Sequence, residues 1–254
     1  MITIYKPNII PMEIPIDLLK LVVGYLTKPK MKLLDWVPID KLDWGELSRN
    51  PNSIHMLEAN IEKVHWHSLS MNPNAIHILT ANPQNISWSW LSRNPNGLAL
   101  LEANPDKINW LWLSMNPNAM HILKSNPDKI IWDYLSMNPS AIHLLVSNPD
   151  KIDWRGLSIN PAIEGIKLLE KHMDKISWQW LSYNYNAMHL LLANPTKIDW
   201  KWLSANPSAL PLLEANPKNI DWSVLSCNPS IFTIDKIHYS INMNAKADTL
   251  DKLI

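Results

Sequence analysis

The chain has 254 residues, a hydrophobic content of 46% and equal numbers of basic and acidic residues, 23 of each. This length allows one large domain or two ordinary ones, and the apolar content is sufficient for a continuous core. A formal net charge of zero excludes the strong positive field that binds rows of phosphates, so we expect no nucleic acid partner. Cys227 is the single cysteine, which excludes an internal disulfide framework.

The first 42 residues carry only fragments of the pattern that dominates the rest of the chain. The apolar stretch from Leu18 to Leu26 is interrupted by Lys20 and Gly24 and is too short to span a bilayer, so we expect no membrane partner. No secretory leader is visible, and together with the lone cysteine this predicts a soluble protein in a reducing, intracellular compartment. We interpret residues 1–42 as a segment that caps one end of a repeat array.

A tandem repeat occupies residues 43–231. Its period is 22 residues, except for one step of 24 residues before Trp178. The repeats begin at Trp44, Trp66, Trp88, Trp110, Trp132, Trp154, Trp178, Trp200 and Trp222. Read from its Trp, each repeat follows W-x-x-L-S-x-N-P-x-A-I-x-L-L-x-x-N-P-x-K-I-x, and the two extra residues fall within Ala162 to Glu164. We call these units repeats 1 to 9, the last of which is incomplete.

The pair Asn-Pro occurs 14 times in the chain, up to twice in each repeat. Proline suits the first position of a helix, and asparagine is a favourable residue immediately before it, so each pair predicts the start of a helical segment. Thus Asn116-Pro117 predicts a helix to about Ser125, and Asn126-Pro127 predicts a turn that leads into the Trp132 helix. Cap-type residues also precede most of the repeat tryptophans, so that helix starts either at the turn or separately at the Trp.

The longer predicted helix is amphipathic. In repeat 4, Ala119 and Leu123 point to one side, with Met120 and Ile122 beside them, while His121 points away. Such short helices cannot bury their apolar sides alone, so the repeats must stack. We therefore predict an all-α protein: an α-solenoid of stacked short helix pairs, with about nine repeats, terminal caps and a core of Trp, Leu and Ile. Two prolines in most repeats make a β-solenoid or a leucine-rich horseshoe less favourable.

Two residue types recur at fixed positions in all nine repeats: a Ser four residues after the Trp and an Asn two residues later. A nucleophile needs one particular environment with a base and an orienting partner, and nine copies along an array cannot all provide it. We interpret both as capping and turn hydrogen bonds between adjacent repeats. The sequence thus predicts no catalytic residue, metal ligand or cofactor-binding residue.

Two other sets of residues are candidates for binding a partner. The first set consists of outward-facing histidines, spaced too widely to share a zinc ion, at one equivalent helix position: His55, His77, His121, His143 and His189. The second set consists of aromatic residues two positions after the repeat Trp: Trp90, Trp112, Tyr134, Trp180 and Trp202. The histidines are either simply solvated or part of a recognition face. The aromatic residues either pack between neighbouring helices or form a binding surface, since Trp and Tyr are common interface anchors.

The chain ends differently from the repeats. Ile234 to Tyr239 reads as a degenerate repeat start, with Tyr239 in place of the Trp, and a polar stretch from Asn242 to Asp251 follows. We interpret residues 232–254 as a C-terminal cap that closes the array.

The repeat pattern over about residues 43–231 resembles that of repeat proteins encoded in many copies by giant viruses, the nucleocytoplasmic large DNA viruses. The resemblance implies a viral origin, a location in the host cytoplasm or the virion, and a binding role without catalytic residues. Separately, the segment from Ile14 to Leu26 is similar to the first helix of an F-box, which implies recruitment of a ubiquitin ligase scaffold.

Three functions remain open. The favoured one is a non-enzymatic scaffold that binds a protein partner through its repeated surface. A ubiquitin ligase adaptor, with residues 10–36 binding the ligase, would co-purify with the ligase scaffold. A structural virion component would be found in purified particles. An enzyme is the least favoured interpretation. The sequence has no glycine-rich phosphate-binding loop, no cluster of Cys or His residues at the spacing of metal ligands, and no unique acid-base pair.

Overall fold

The computed structural model describes residues 30–235, and one compact unit within it runs from Met31 to Thr233. The F-box-like segment from Ile14 to Leu26 lies outside the described residues. So do Tyr239 and the polar stretch from Asn242 to Asp251.

The predicted all-α solenoid of short helix pairs is confirmed, because each repeat contributes one helix that begins at its Trp and packs against the next. These Trp helices span Trp44–Arg49, Trp66–Met71, Trp88–Arg93, Trp110–Ser114, Trp132–Leu135, Trp154–Ile159, Trp178–Tyr183, Trp200–Ser204 and Trp222–Leu225. The second helices of repeats 1 to 8 span Ile54–Glu58, Ile76–Ala81, Leu98–Glu102, Met120–Ser125, Ile142–Val146, Ile163–Lys171, Met188–Ala193 and Leu210–Glu214.

Short 3₁₀ helices complete the repeats. One precedes each Trp helix, at Ile39–Lys41, Ile61–Lys63, Pro83–Asn85, Pro105–Lys107, Pro127–Lys129, Pro149–Lys151, Met173–Lys175, Pro195–Lys197 and Pro217–Asn219. Three more follow Trp helices, at Pro139–Ala141, Pro207–Ala209 and Pro229–Ile231. Strands β1 (Met31–Leu33) and β2 (Phe232–Ile234) pair in a two-stranded sheet. The two extra residues of repeat 6 lengthen its second helix, which has nine residues.

The structure decides where the Trp helix starts. An extended residue separates it from the preceding 3₁₀ helix, and the residue just before the Trp is its N-cap. Asn109 accepts a hydrogen bond from the backbone N–H of Trp112, and Asp199 accepts one from Trp202. The second alternative, a separate helix that begins at the Trp, is therefore the correct one.

The two Asn-Pro pairs of a repeat act differently. In the first pair, the side-chain oxygen of Asn116 accepts a hydrogen bond of 3.0 Å from the N–H of Asn118. This bond forms a turn, and the helix begins at Met120, three residues later than predicted. In the second pair, Pro127 begins its 3₁₀ helix as predicted, but the side chain of Asn126 does not cap it. The amide of Asn126 instead donates back to the carbonyl oxygen of Ile122 at 2.9 Å and thereby closes the preceding helix.

Leucine forms the innermost core. The Leu three residues after each Trp is fully buried, as Leu113 and Leu135 illustrate, and so is the matching Leu of each second helix, such as Leu123. The predicted face assignment is confirmed, since Ala119 is also buried and His121 is exposed. The repeat tryptophans were predicted to be core residues, but they are only partly buried and pack against its outside. An indole is too large for the space between short helices, where a leucine fits.

Lysines cover the outer faces of several tryptophans. The Nζ atom of Lys151 lies 4.4 Å from the ring centroid of Trp132, and that of Lys63 lies 4.7 Å from Trp44. In both cases the lysine comes from the 3₁₀ helix that precedes the next Trp helix. Cation–π contacts of this kind stabilise a partly exposed indole by about 0.5–1 kcal/mol.

The Ser and Asn of each repeat are buried and join it to its neighbours, as predicted. The hydroxyl of Ser114 donates to the carbonyl oxygen of Trp110 at 2.8 Å and accepts from the N–H of Ile131 in the next repeat at 3.1 Å. The side-chain amide of Asn116 donates to the carbonyl oxygens of Ser92 and Asn94 in the preceding repeat, at 3.0 and 2.8 Å. These bonds satisfy the carbonyl groups at the ends of the Trp helices, where they are buried away from water.

The same bonds join the last repeat to the first, so the array closes on itself. The hydroxyl of Ser226 accepts from the N–H of Asp43 at 2.8 Å. The side-chain amide of Asn50 donates to the carbonyl oxygens of Ser226 and Asn228 at 3.0 Å each. Residues 44–228 therefore form a closed circle of nine repeats. An open array would leave the donors and acceptors of its two end repeats unpaired.

Residues 31–43 supply the second half of the incomplete ninth repeat. Strand β1 pairs with β2, and the N–H of Leu34 donates to the carbonyl oxygen of Ile231 at 2.8 Å. Lys41 then covers Trp222, with its Nζ atom 4.8 Å from the ring centroid, as Lys63 covers Trp44. The part of the predicted N-terminal cap that the structure describes therefore connects the first repeat to the last.

Candidate functional site

A cavity of about 230 Å³ lies within the circle of Trp helices. Its walls include the residue five positions after the Trp, between the constant Ser and Asn, which we call the inner position. Six of the nine inner-position residues line the cavity: Arg49, Met71, Arg93, Tyr183, Ala205 and Cys227. They come from repeats 1, 2, 3, 7, 8 and 9, so residues far apart in the sequence meet there because the array is closed. We call this cavity the inner chamber.

Arg49 belongs to a small polar cluster in the chamber wall. Its Nε atom lies 3.0 Å from a carboxylate oxygen of Glu46, one turn earlier in the same helix, and an Nη atom donates to the Sγ atom of Cys227 at 3.4 Å. Burial by itself lowers the pKa of Arg49, but interactions with Cys227, Tyr183 and Glu46 outweigh that effect and raise it. Arg49 is therefore a fixed cation whose charge Glu46 partly balances.

Arg93 differs from Arg49 in its surroundings. Its guanidinium lies 6.0 Å from the ring centroid of Trp112, and within residues 30–235 it forms no ion pair with a carboxylate. Burial is the main cause that lowers the pKa of Arg93 from its ordinary value. An arginine nevertheless keeps its charge at neutral pH, so Arg93 brings a half-buried positive charge to the chamber.

Tyr183 and Cys227 are neutral at physiological pH. Burial is the main cause that raises the pKa of Tyr183 above 10.0, and burial also raises the pKa of Cys227 above 9.0. The negative charge of Glu46 offsets the positive charge of Arg49. The chamber and its immediate wall therefore carry one net positive charge, that of Arg93.

The predicted aromatic stripe follows the same side of the Trp helices as the inner position. The ring centroids of Trp90 and Trp112 are 4.4 Å apart, and those of Trp112 and Tyr134 are 5.6 Å apart. In the other arc, the centroids of Trp180 and Trp202 are 5.1 Å apart. All five rings are partly buried. We call them the aromatic band; they pack between neighbouring helices and still expose part of their surface.

Gly156 interrupts the aromatic band for a steric reason. A Cβ atom at Gly156 would lie 2.8 Å from the carbonyl oxygen of Asp133 in the preceding repeat, closer than real side chains approach. Repeat 6 therefore has no room for a side chain at this position, and the band is divided into an arc over repeats 3 to 5 and an arc over repeats 7 and 8.

The histidines predicted as a second candidate surface lie on the second helices, where four are exposed and His55 is half-buried. Three of them contact a glutamate of the preceding repeat through Nε2: His77 with Glu58 at 2.8 Å, His121 with Glu102 at 3.1 Å, and His189 with Glu170 at 2.9 Å. His55 instead contacts Glu58 of its own helix at 3.3 Å. His143 is exposed, and Lys124 occupies the position corresponding to the glutamate in the preceding repeat. Most of these imidazoles are thus already engaged in surface contacts with neighbouring residues.

Within residues 30–235, the structure contains no cluster of three or more His, Cys, Asp or Glu side chains that could hold a metal ion. No helix in this range is long and apolar enough to cross a membrane.

The inner position is not among the candidate sites predicted from the sequence. The signal was nevertheless present, because this one variable residue lies between two constant ones, Ser and Asn, in every repeat. Its importance becomes visible only when the circle closes and places Arg49, Arg93, Tyr183 and Cys227 around one cavity.

Comparisons of the chain with protein-family models, curated proteins and solved structures give no match.

Proposed function

We propose that this protein is a non-enzymatic scaffold that binds a protein partner through the aromatic band. The single observation that carries the proposal is the band itself: five Trp and Tyr side chains at one repeat position, partly exposed and in ring-to-ring contact within each arc. Large, rigid aromatic side chains provide much contact area at a small entropic cost, and they dominate the binding energy of many interfaces.

The repeats themselves support a binding role rather than a purely structural one for the band. Repeats 1, 2 and 9 carry Glu46, Ser68 and Val224 at the band position, yet they form the same buried Ser and Asn bonds as the others. The circle can therefore be built without aromatic residues at this position. The five that are present are available for a further purpose.

The resemblance to giant-virus repeat proteins extends the proposal to the origin of the protein. We propose that it acts in an infected host cell, where its partner is a viral or host protein. Affinity capture from infected cells, followed by mass spectrometry, would identify that partner.

A pair of variants makes the capture experiment specific. Trp90→Ser with Trp112→Ser removes two of the three rings of one arc of the band and introduces the residue that repeat 2 carries there. The matched variant His121→Ala with His143→Ala alters the exposed histidines instead. Circular dichroism of both variants verifies that they remain folded.

The proposal expects a partner that wild-type protein and the histidine variant both capture and that the tryptophan variant loses. With purified partner, the tryptophan variant should bind at least about 30-fold more weakly, since interface hot spots contribute about 2 kcal/mol or more each. Equal affinity of all three forms for the partner would reject the aromatic band as the binding surface. Loss of binding in the histidine variant alone would assign the interaction to the outer surface.

A further inference from the structure

The inner chamber has features of a ligand site in addition to the aromatic band, which it adjoins through the contact of Arg93 with Trp112. It has a volume of about 230 Å³, and its walls combine two guanidinium groups and the phenols of Tyr183 and Tyr185 with apolar surface from Met71 and from prolines of the Asn-Pro turns. Pockets with a mainly apolar wall and a few polar groups are typical of small-molecule sites.

The other repeats show that the two arginines are not needed to form the circle. At the inner position, the remaining repeats carry Met71, Met115, Met137, Ile159, Tyr183, Ala205 and Cys227. Each of these repeats makes the same buried Ser and Asn bonds as repeats 1 and 3. An arginine near the end of a helix interacts favourably with its terminal carbonyls, but seven of the nine Trp helices do without one. Packing therefore does not explain why Arg49 and Arg93 face the chamber.

The charge of the chamber is unbalanced. Glu46 offsets Arg49, whereas Arg93 has no carboxylate partner within residues 30–235. Arg93 is half-buried, and a cation that loses part of its hydration is less favourable unless an anion or hydrogen-bond acceptors compensate it. The side chains of Tyr183 and Cys227, which are neutral at physiological pH, supply no negative charge. The missing counter-charge is therefore expected to come from outside the described chain.

We propose that the inner chamber binds a small oxyanion, a phosphate or carboxylate group on a compact molecule, with Arg93 and Arg49 as charged donors and the hydroxyl of Tyr183 as a neutral donor. Guanidinium groups match both oxyanions because two parallel N–H groups can donate to two oxygens. The volume corresponds to roughly eight water molecules at about 30 Å³ each, enough for such a group with a short apolar part.

Isothermal titration calorimetry on the full-length protein tests the proposal with two probes, inorganic phosphate and benzoate, in a chloride buffer of constant ionic strength. Phosphate is tetrahedral, whereas benzoate carries a planar carboxylate on an apolar ring, so the preferred probe identifies the class of oxyanion. The proposal expects saturable binding of at least one probe and a matching rise in melting temperature, because a ligand that binds only the folded state stabilises it.

The repeats supply conservative variants for this test. Arg93→Met introduces the residue that repeats 2, 4 and 5 carry at the inner position, so the circle is expected to form normally. Arg155→Met is the matched control, because it removes the same charge from an exposed position that does not line the chamber. We expect Arg93→Met to weaken binding by about tenfold or more, the scale of one lost charge-assisted hydrogen bond, and Arg155→Met to leave it unchanged.

Two results would overturn the proposal. One is the absence of saturable binding for both probes by the wild-type protein. The other is an equal effect of Arg93→Met and Arg155→Met, which would identify general charge attraction instead of a site. Neither result bears on the aromatic band, since the proposed protein interaction is measured with different variants and a different ligand.

Discussion

The side-chain amide of Asn50 donates a hydrogen bond of 3.0 Å to the carbonyl oxygen of Asn228 and thereby joins repeat 1 to repeat 9. Asn72 makes the equivalent bond to Asn50 at 2.8 Å, and the same contact continues around the whole set of repeats. Each repeat is thus rotated by about one ninth of a turn relative to the one before it. Closure lets all nine repeats satisfy the same buried polar groups, which an open array cannot do at its ends.

Asn116→Ala should destabilise the protein strongly. Its fully buried amide donates to two backbone carbonyl oxygens, those of Ser92 and Asn94, and alanine would leave both without this donor. We expect a loss of about 2–4 kcal/mol in the free energy of unfolding, because each unsatisfied buried group costs about 1–3 kcal/mol. Urea denaturation followed by tryptophan fluorescence measures this loss.

Asn118→Ala is the matched control for that experiment. The Asn118 amide makes a single bond, to the carbonyl oxygen of Pro95 at 2.9 Å, and the residue is exposed, so water can replace the donor. Its substitution should cost less than about 1 kcal/mol. Equal losses for the two variants would mean that the buried ladder is no more important than the surface bonds.

Asn50→Ala is the same substitution at the junction between repeat 1 and repeat 9. It should lower the free energy of unfolding as much as Asn116→Ala does. In the closed circle, Asn50 donates to the carbonyl oxygens of Ser226 and Asn228, as Asn116 donates to those of Ser92 and Asn94. In an open array it would face water and contribute little. Urea denaturation of the two variants side by side distinguishes these cases, and a negligible loss for Asn50→Ala would be evidence against closure.

Substitution of core leucines should reveal which residues hold the repeats together. Leu123 has no exposed surface, whereas Leu192 on another second helix is 60% exposed. Leu123→Ala should lower the free energy of unfolding by about 3–5 kcal/mol through lost burial and the remaining cavity. Leu192→Ala should change it by less than about 0.5 kcal/mol, as expected for a surface position. Thermal and urea unfolding of both variants provide the comparison, and a large effect at Leu192 would contradict the assigned faces.

Alkaline conditions should weaken the folded state through Tyr183 and Cys227. The ordinary pKa values of these groups, 10.0 and 9.0, are raised in the folded protein, mainly by burial. As the pH rises past those values, the unfolded chain releases protons that the folded chain retains. The unfolded state then binds fewer protons, so stability falls with increasing pH until the folded-state pKa values are passed.

The variant Tyr183→Phe with Cys227→Ala isolates this effect. It removes both titrating groups, and Ala205 shows that alanine is accepted at the inner position. Between about pH 8 and pH 11, its free energy of unfolding should decline less steeply than that of the wild-type protein. Parallel curves for the two proteins would show that these groups do not couple folding to pH.

The repeat pattern was sufficient to predict the local structure. The spacing of the tryptophans, the Asn-Pro pairs and the alternation around His121 correctly predicted stacked helix pairs and the buried role of the Ser and Asn. The same pattern overstated the burial of Trp110 and its equivalents. Invariance within the repeats indicates a structural role, but it does not distinguish a leucine that fits between helices from an indole that covers them.

The closure of the nine repeats into a circle could not be predicted from the repeat pattern. The period identifies which residues contact the next repeat, whereas the rotation from one repeat to the next depends on packing details that the pattern does not specify. The sequence from Met31 to Asp43 carries only fragments of the repeat and is typical of a cap, and its match to the missing half of repeat 9 appears only in three dimensions. The inner chamber depends on that closure, so the sequence analysis could not have placed Arg49 beside Cys227.

The most direct test of the account is a distance across the junction, measured by double electron–electron resonance between spin labels on engineered cysteines in a Cys227→Ala background. Labels at the exposed positions Thr196 and Asp40 lie two repeats apart in the closed circle, as do labels at Asp106 and Asp150. The closed circle predicts the same mean distance for the two pairs. In an open array, Thr196 and Asp40 would be seven repeats apart, and a distance of about 60 Å, from spacings of about 8–10 Å per repeat, would contradict closure.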